Sequence, residues 1–591
     1  MTRVARSAAP PALAIRLGAA TAASAGEFER ALERPEAAQA ERLAAVLRAA
    51  RGSQQAGRVT GFERIRTARD FQDAIPLCTA DQLEPDVERI AQGEPAVLTR
   101  ESVLWFERSG GSSGACKRIP YTAQLLGEFQ AALLPWLFDL ARSRPRAWAG
   151  PGFWSVSPIA QDRDVTPGGI PIGSVGDSAY FPPRLAEQLA TTFAVPGEVA
   201  HLPDVESCRY VMLRLLLERD NLAFVSAWNP SFMSLMMEDL ERHAVRLLED
   251  LERGTCRPPA GDGAERRGSA GGGGGAARDA RVKAIVERIG FRARARRARA
   301  LRTRWAREAR LDARALWPEL ALISVWTDAQ AQRALPAMRT RFPGVEIQGK
   351  GLLASEGVVS IPWFDAPAPV LAVRSHFMEF IDAERPDACP LLAHELEAEH
   401  SYEVVISTGS GLLRYRLGDQ IRVVGHHMET PCIRFEGRAD AVSDLVGEKL
   451  SASRVGAVLT RVTRERGEGS APRFIMLAPE WGSPPAYHLW IECDAGDQGL
   501  ECWAQKVEAG LLEGFSYRYA RELGQLAAVR AFRVEAAERR YEARCVALGQ
   551  RAGGVKPPDL DRRPGWKEWM LSPEMPAGNR QTPAAVARST R

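Results

Sequence analysis

At 591 residues the chain exceeds what one hydrophobic core ordinarily supports, so at least two domains are expected. Its 45% hydrophobic and 26% charged residues exclude a chain dominated by disorder. A formal charge of +4 is too small over this length to define a nucleic-acid binder, and the absence of any run of about 18 uninterrupted apolar residues leaves no expected transmembrane helix. Nine cysteines, with no C-x-x-C pair and no zinc-ligand spacing, point to reduced thiols and a cytoplasmic location. Residues 1–25, where Pro10, Pro11 and Arg16 interrupt a short apolar stretch, do not read as a secretory signal and are expected to be a flexible N-terminus.

From residue 27 to 58 the composition is Ala-, Glu-, Arg- and Leu-rich, and Leu43, Val46 and Leu47 recur at helical spacing, which predicts an N-terminal helix. "AVLTRESVLWFE" then predicts a strand or hairpin leading into "ERSGGSSGACKRIPYT". Later apolar runs at 222–228, 320–326, 345–354 and 402–409 read as buried strands between helical stretches, and an α/β architecture follows. Residues 257–280 contain five consecutive glycines and predict a flexible surface insertion. The next segment, 281–310, holds twelve Lys/Arg against Glu287 and Glu308; with little aromatic interleaving it reads as a solvated helix face rather than a nucleic-acid patch. A proline-bearing tail, 572–591, is expected to be disordered.

Four short stretches carry chemistry. The Ser/Gly loop ending at Lys117 has the composition of a phosphate cradle, although it is not a Walker A loop, because Lys117 is followed by Arg118 rather than Ser or Thr. "GKGLLASEG" places Ser355 and Glu356 after an apolar strand, where a carboxylate could hold Mg²⁺ and where a helix cap is the simpler alternative. "LLRYRLGDQIRVVG" presents Asp419 after a Leu-Gly turn between two strands, as a ribose acceptor or as an ordinary turn aspartate. "FEGRADAVSD" puts Arg438 and Asp440 in a polar stretch suited to a hinge.

In order and approximate spacing these stretches resemble the adenylate-forming superfamily. More narrowly, "ERSGGSSGACKRIPYT", "GIPIGSVGDSAYF", "SAWNPSF", "QGKGLLASEG", "HFMEFI" and "LLRYRLGD" resemble the Gretchen Hagen 3 family of acyl acid amido synthetases, and particularly its bacterial members, over roughly residues 40–570. The resemblance implies a large N-terminal acyl-adenylating domain of β-sheets and flanking helices (26–437) and a smaller mobile α+β lid (438–571). It implies ATP and Mg²⁺ as cofactors, a small carboxylic acid and an amine, an amino acid, as substrates, and no membrane or nucleic-acid partner. The implied nucleotide contacts are Ser112, Ser113, Gly114, Thr122, Ser355, Asp419 and Arg438. Lys117, Glu356 and Lys556 are the implied catalytic residues, with Glu356 also the metal ligand and Lys556, in "GGVKPP", the mobile lysine. The sequence departs from the family at Ser109 and Gly110, where threonine and serine are usual, and at Leu352 or Leu353, where an aromatic often stacks on adenine. Two alternatives stay open: acyl transfer to a thiol, as in coenzyme A ligases, and a degenerate ATP-binding scaffold that uses the basic segment to hold a partner.

Overall fold

The computed structural model describes residues 11–110, 116–155, 165–173, 177–259, 274–308, 310–438, 442–465, 471–548, 550 and 555–572. Order begins earlier than the sequence suggests: residues 12–25, expected to be flexible, belong to a helix spanning Ala12–Glu33. Pro11 stands at its N-cap, where a missing N–H costs nothing. Leu17, Thr21, Ala25, Phe28 and Leu32 are all buried along one face. The single helix expected over 27–58 is instead broken at Arg34, because Pro35 lacks the donor that would continue it and starts a new helix, Pro35–Ala50.

The chain then enters an antiparallel hairpin, Trp105–Gly110 with Cys116–Tyr121, in a register that pairs Ser109 with Lys117. Helix Ala123–Ser143 follows at once. Four strands, Gly152–Trp154, Phe224–Ser226, Leu322–Val325 and Glu346–Gly349, form a parallel sheet in that order. Their short, continuous apolar runs are what a sheet covered on both faces requires. The run at 345–354 splits: Gly351 adopts a left-handed φ of 76°, where a Cβ would meet the Ser360 carbonyl oxygen at 2.5 Å, and the chain turns into a second small hairpin, Leu353–Ala354 with Gly357–Val358.

A seven-stranded antiparallel sheet completes the N-terminal body, with Phe377–Asp382, Ser401–Ser407, Tyr415–His427 and Thr430–Arg438 at its centre. The C-terminal unit has a three-stranded sheet, Phe474–Glu480, Ala486–Glu492 and Arg530–Arg533. Alternation along its first strand sends Ile475 and Leu477 into one core and Phe474, Met476 and Ala478 into another, so both faces are covered.

The basic segment forms parts of two helices, Gly274–Ile289 and Ala295–Glu308, so residues 274–280 are helical and not part of a flexible insertion. Val282, Ile285, Ala298 and Leu301 are buried, Arg297 donates to the Leu217 carbonyl at 2.7 Å, and Arg302 pairs with Glu252 at 2.8 Å. Several of its arginines thus serve this chain's own packing. The remainder of the glycine insertion (260–273) and the tail beyond Ser572 lie outside the described residues. Among the described residues no helix is long and apolar enough to cross a membrane.

Candidate active site

The edges of three structural units converge on one place. The first is the Trp105–Tyr121 hairpin. Residues 111–115, with Ser112, Ser113 and Gly114, lie outside the described residues, and Lys117 sits one residue into the returning strand. Tyr121 closes the hairpin: it stacks on Trp105 and donates from its hydroxyl to the Ser355 carbonyl at 2.7 Å. Burial, then the neighbouring Tyr180, raises the Tyr121 pKa well above its ordinary value, so it stays a donor. That bond ties the loop hairpin to the acidic hairpin.

Thr122 does not join them. Its side chain is fully buried and its hydroxyl accepts the Leu125 N–H at 3.2 Å, capping helix Ala123–Ser143. Thr122 thus serves as the cap of the helix at the hairpin's exit.

Ser355 and Glu356 form the two-residue turn between Leu353–Ala354 and Gly357–Val358, rather than a helix cap. Glu356 is 9% exposed, and its Oε1 accepts the Tyr415 hydroxyl at 3.3 Å. Burial, then the Glu356 charge, keeps the Tyr415 phenol protonated by raising its pKa. Leu352 is packed in the main core and cannot stack on a base from there.

Asp419 lies inside one long strand, Tyr415–His427, and not in a turn between two strands. The register against Ser401–Ser407 slips between Glu403 and Val405, and Gly418 takes a φ of 75°; the resulting bulge takes Asp419 out of pairing with that strand. Arg438, opposite it on the next strand, donates to Asp419 Oδ1 at 3.2 Å and to the Leu417 carbonyl at 2.9 Å. It is the last described residue before the polar crossing into the C-terminal unit, while Asp440 lies outside the described residues.

Lys556 comes from that C-terminal unit. Its segment is anchored to strand Phe474–Glu480, since Leu477 donates to the Asp559 carbonyl at 2.8 Å and Asp561 donates to the Leu477 carbonyl at 2.9 Å. The ammonium lies 4.8 Å from the centre of the Trp326 ring. Burial lowers its pKa from the ordinary lysine value and the Asp419 carboxylate pulls it back up, which places the two charges in one field. Trp326 directly follows strand Leu322–Val325, and Phe435 packs edge-on against it.

Trp326 thus lies at the carboxyl end of the parallel sheet, the edge where open α/β sheets bind ligands. The other strand ends meet there too. Lys350 donates to Ser226 Oγ at 2.7 Å and lies over Trp228 (5.3 Å) and Trp136 (6.0 Å), and Trp136 in turn meets Trp154 edge-on. Sequence reasoning picked out "SAWNPSF" but missed Trp326 and Lys350. Their signal was positional: each stands within one residue of the end of a parallel strand.

The N-terminal body and the C-terminal unit define a class: the fold is that of the acyl acid amido synthetases. An acyl acid amido synthetase structure in complex with 2,4-DB superposes with a TM-score of 0.75 over 92% of this chain and 94% of its own, at 18% identity. The chain belongs to the GH3 family: sequence models for the GH3 family N-terminal domain and the GH3 family central domain match residues 24–266 and 369–438, together more than half of it. Similar curated proteins include the probable indole-3-acetic acid-amido synthetase GH3.4 of Oryza sativa subsp. japonica, 25% identical over 67% of this chain and 63% of that protein. Indole-3-acetic acid-amido synthetase GH3.5 of Arabidopsis thaliana is 23% identical over 65% of this chain and 64% of its own length. In both, the match spans slightly less than two thirds of the relative.

Proposed function

We propose that the chain is an ATP-dependent acyl acid amido synthetase. It activates a small carboxylic acid as the acyl-adenylate, releasing pyrophosphate, and passes the acyl group to the amine of an amino acid, releasing AMP. The family's amido synthetases support this reading. The observation that carries it in this chain is Lys556: a lysine from the C-terminal unit, far along the chain, is delivered beside Asp419 and over Trp326.

Each group has a role that follows from its position. Asp419, held by Arg438, accepts hydrogen bonds from the ribose hydroxyls. The Ser/Gly-rich sequence ending at Lys117 has the composition to cradle the phosphates with backbone amides, and Lys117 adds a cation. Lys556 neutralises charge that builds on the α-phosphate as the substrate carboxylate attacks and pyrophosphate leaves. Among the described residues no group of three or more His, Cys, Asp or Glu could hold a metal ion. Glu356, whose Oε1 alone is engaged by Tyr415, fits the looser arrangement in which Mg²⁺ takes one carboxylate and completes its shell with water and nucleotide oxygens. Bound there, the ion would supply charge neutralisation on the phosphates.

The cluster of Trp136, Trp154 and Trp228 beside Lys350 is assigned to the acyl group, its indoles to an apolar or aromatic portion. The amine attacks the acyl carbon as its free base, the C–O bond to AMP breaks, and the protons the nitrogen loses pass to solvent, while the lid shields the adenylate from water until then. Rotation about Arg438 to Asp440 then withdraws Lys556 and opens a path for the amine.

Product analysis tests the reading. The protein, ATP and Mg²⁺ with an acid panel and mixed amino acids should yield AMP and an amide detectable by mass spectrometry. ADP as the nucleotide product, or a thioester formed in preference when coenzyme A is added, would overturn it.

A further inference from the structure

Away from the nucleotide site, three helices leave a cleft of about 810 Å³. Helix Pro35–Ala50 contributes Arg42, Ala45 and Ala49 at i, i+3 and i+7, and helix Ala123–Ser143 contributes Gln124, Gly127, Glu128 and Ala131 at i, i+3, i+4 and i+7. The small residues of these two stripes keep the helices' facing surfaces open, and a Cβ added at Gly127 would meet nothing within 4 Å. Ser24 and Glu27 of the first helix, with Arg48, Arg100, Glu101 and Arg374, complete the polar wall. None of Lys117, Glu356, Asp419, Arg438 or Lys556 lines it.

The charges are unevenly satisfied. Arg374 is paired with Glu27 at 2.5 Å, and Glu101 accepts the Gln124 N–H at 3.0 Å. Glu128, only 4% exposed, accepts the Gly409 N–H at 2.8 Å and bonds His376 Nδ1 at 3.0 Å. The guanidiniums of Arg42, Arg48 and Arg100 have no acceptor among the described residues. Burial pulls the Arg42 pKa down while the Glu128 charge offsets part of the loss. Arg42, partly buried, and Arg48 and Arg100, both exposed, line the same cleft, and several guanidinium forks on one cleft suit an anion with several oxygens better than a single carboxylate.

The cleft is also wired to the active site. His376 is fully buried, and its Nε2 accepts the Val358 N–H at 3.0 Å, which puts the ring proton on Nδ1, facing Glu128. Val358 lies two residues beyond Glu356. Gly357 between them can carry no side chain, since a Cβ would fall 2.5 Å from His376 Nε2. The acidic hairpin therefore rests on a histidine whose orientation is set from the cleft.

We infer that this cleft is a regulatory site for a phosphate or phosphate monoester, gripped by Arg42, Arg48 and Arg100, that acts on the Glu356 hairpin through Glu128 and His376. Calorimetric titration of the full chain, with a non-hydrolysable ATP analogue filling the nucleotide site, tests it using inorganic phosphate and glycerol phosphate as separate arms. Binding in either arm is expected, with only the second favoured if the ligand is an ester. The Arg42→Gln/Arg100→Gln variant should weaken it by about ten-fold or more, the scale of losing charge-assisted contacts. Ala131→Phe, which fills the cleft without touching charge, should weaken it as well, and both variants should bind the analogue normally. Saturating phosphate should change the rate of ATP–pyrophosphate exchange in the unmodified protein more than in the double variant. No binding with the nucleotide site filled, binding indifferent to both substitutions, or an equal effect of phosphate on exchange in both proteins would overturn the proposal.

Discussion

Replacing Lys556 by alanine removes a cation that the structure brings to the site from another folding unit. Its ammonium sits over an indole at 4.8 Å and shares a field with Asp419, in surroundings that already lower its pKa. Two unit charges about 4 Å apart interact by about 4 kcal/mol at an effective dielectric near 20. ATP carries much of its charge before reaction, so only the part that grows in the transition state counts toward rate. Losing one oriented donor of this kind costs about 2.7–4 kcal/mol, or roughly 10²–10³ in rate. The Lys556→Ala variant should lose that much in ATP–pyrophosphate exchange. Given a chemically prepared acyl-adenylate, it should still form amide at near the unmodified rate, because the lysine leaves with the lid. Equal damage to both half-reactions would refute the moving-lysine reasoning, and normal exchange would reduce Lys556 to a packing residue. The pH profile adds a sign. Because burial lowers its pKa, the charged form is lost at a lower pH than for a free lysine, so exchange should fall on the alkaline side, and Lys556→Arg should move that fall upward.

Asp419→Ala should weaken ATP binding by about ten-fold or more, since two ribose hydroxyls lose a charged acceptor worth about 1.5–3 kcal/mol; calorimetry reads it, and unchanged affinity would reject the ribose role. The same change removes the one contribution that raises the Lys556 pKa, so residual activity should fail at lower pH still. Tyr415→Phe takes one donor from Glu356 and should cost about 0.5–1.5 kcal/mol, visible as a higher Mg²⁺ requirement in the exchange assay. Lid docking rests on buried charge: Arg209 pairs with Glu542, and Arg539 donates to Asp239 at 2.7 Å. Arg539→Ala leaves Asp239 buried with less compensation and should cost about 3–5 kcal/mol by denaturant unfolding. Beside this pairing, burial and then Glu238 raise the Glu538 pKa to about 8 from an ordinary 4.5, so the folded state holds a proton that the unfolded state releases between those values. Stability should therefore fall as pH rises from 4.5 to 8, and Glu538→Gln should flatten that fall; identical profiles would reject it.

The parts of the site that were legible in the sequence are those whose chemistry is local. A glycine before Asp419 permits the bulge that presents it, and a two-residue polar interruption of an apolar run becomes the turn carrying Glu356. A threonine after a strand and before an apolar helix is also the ordinary signature of an N-cap, and Thr122 is one. Pro10 and Pro11 read as interruptions, whereas proline at a helix start is favourable and the helix begins just after them. What stayed hidden depends on distance along the chain. Nothing near Trp326 announces a lysine 230 residues later, and nothing in Arg42 announces the histidine that shares its carboxylate neighbour.

The central claim is that acid activation by ATP comes first and independently of the amine. Isotope exchange between pyrophosphate and ATP, run across a panel of carboxylic acids with no amine present, tests it most directly. The account predicts exchange that depends on the acid, with the responsive acids carrying apolar or aromatic groups suited to the cluster of Trp136, Trp154 and Trp228. Exchange that requires the amine, or none with any acid from a protein that still binds ATP, would contradict it.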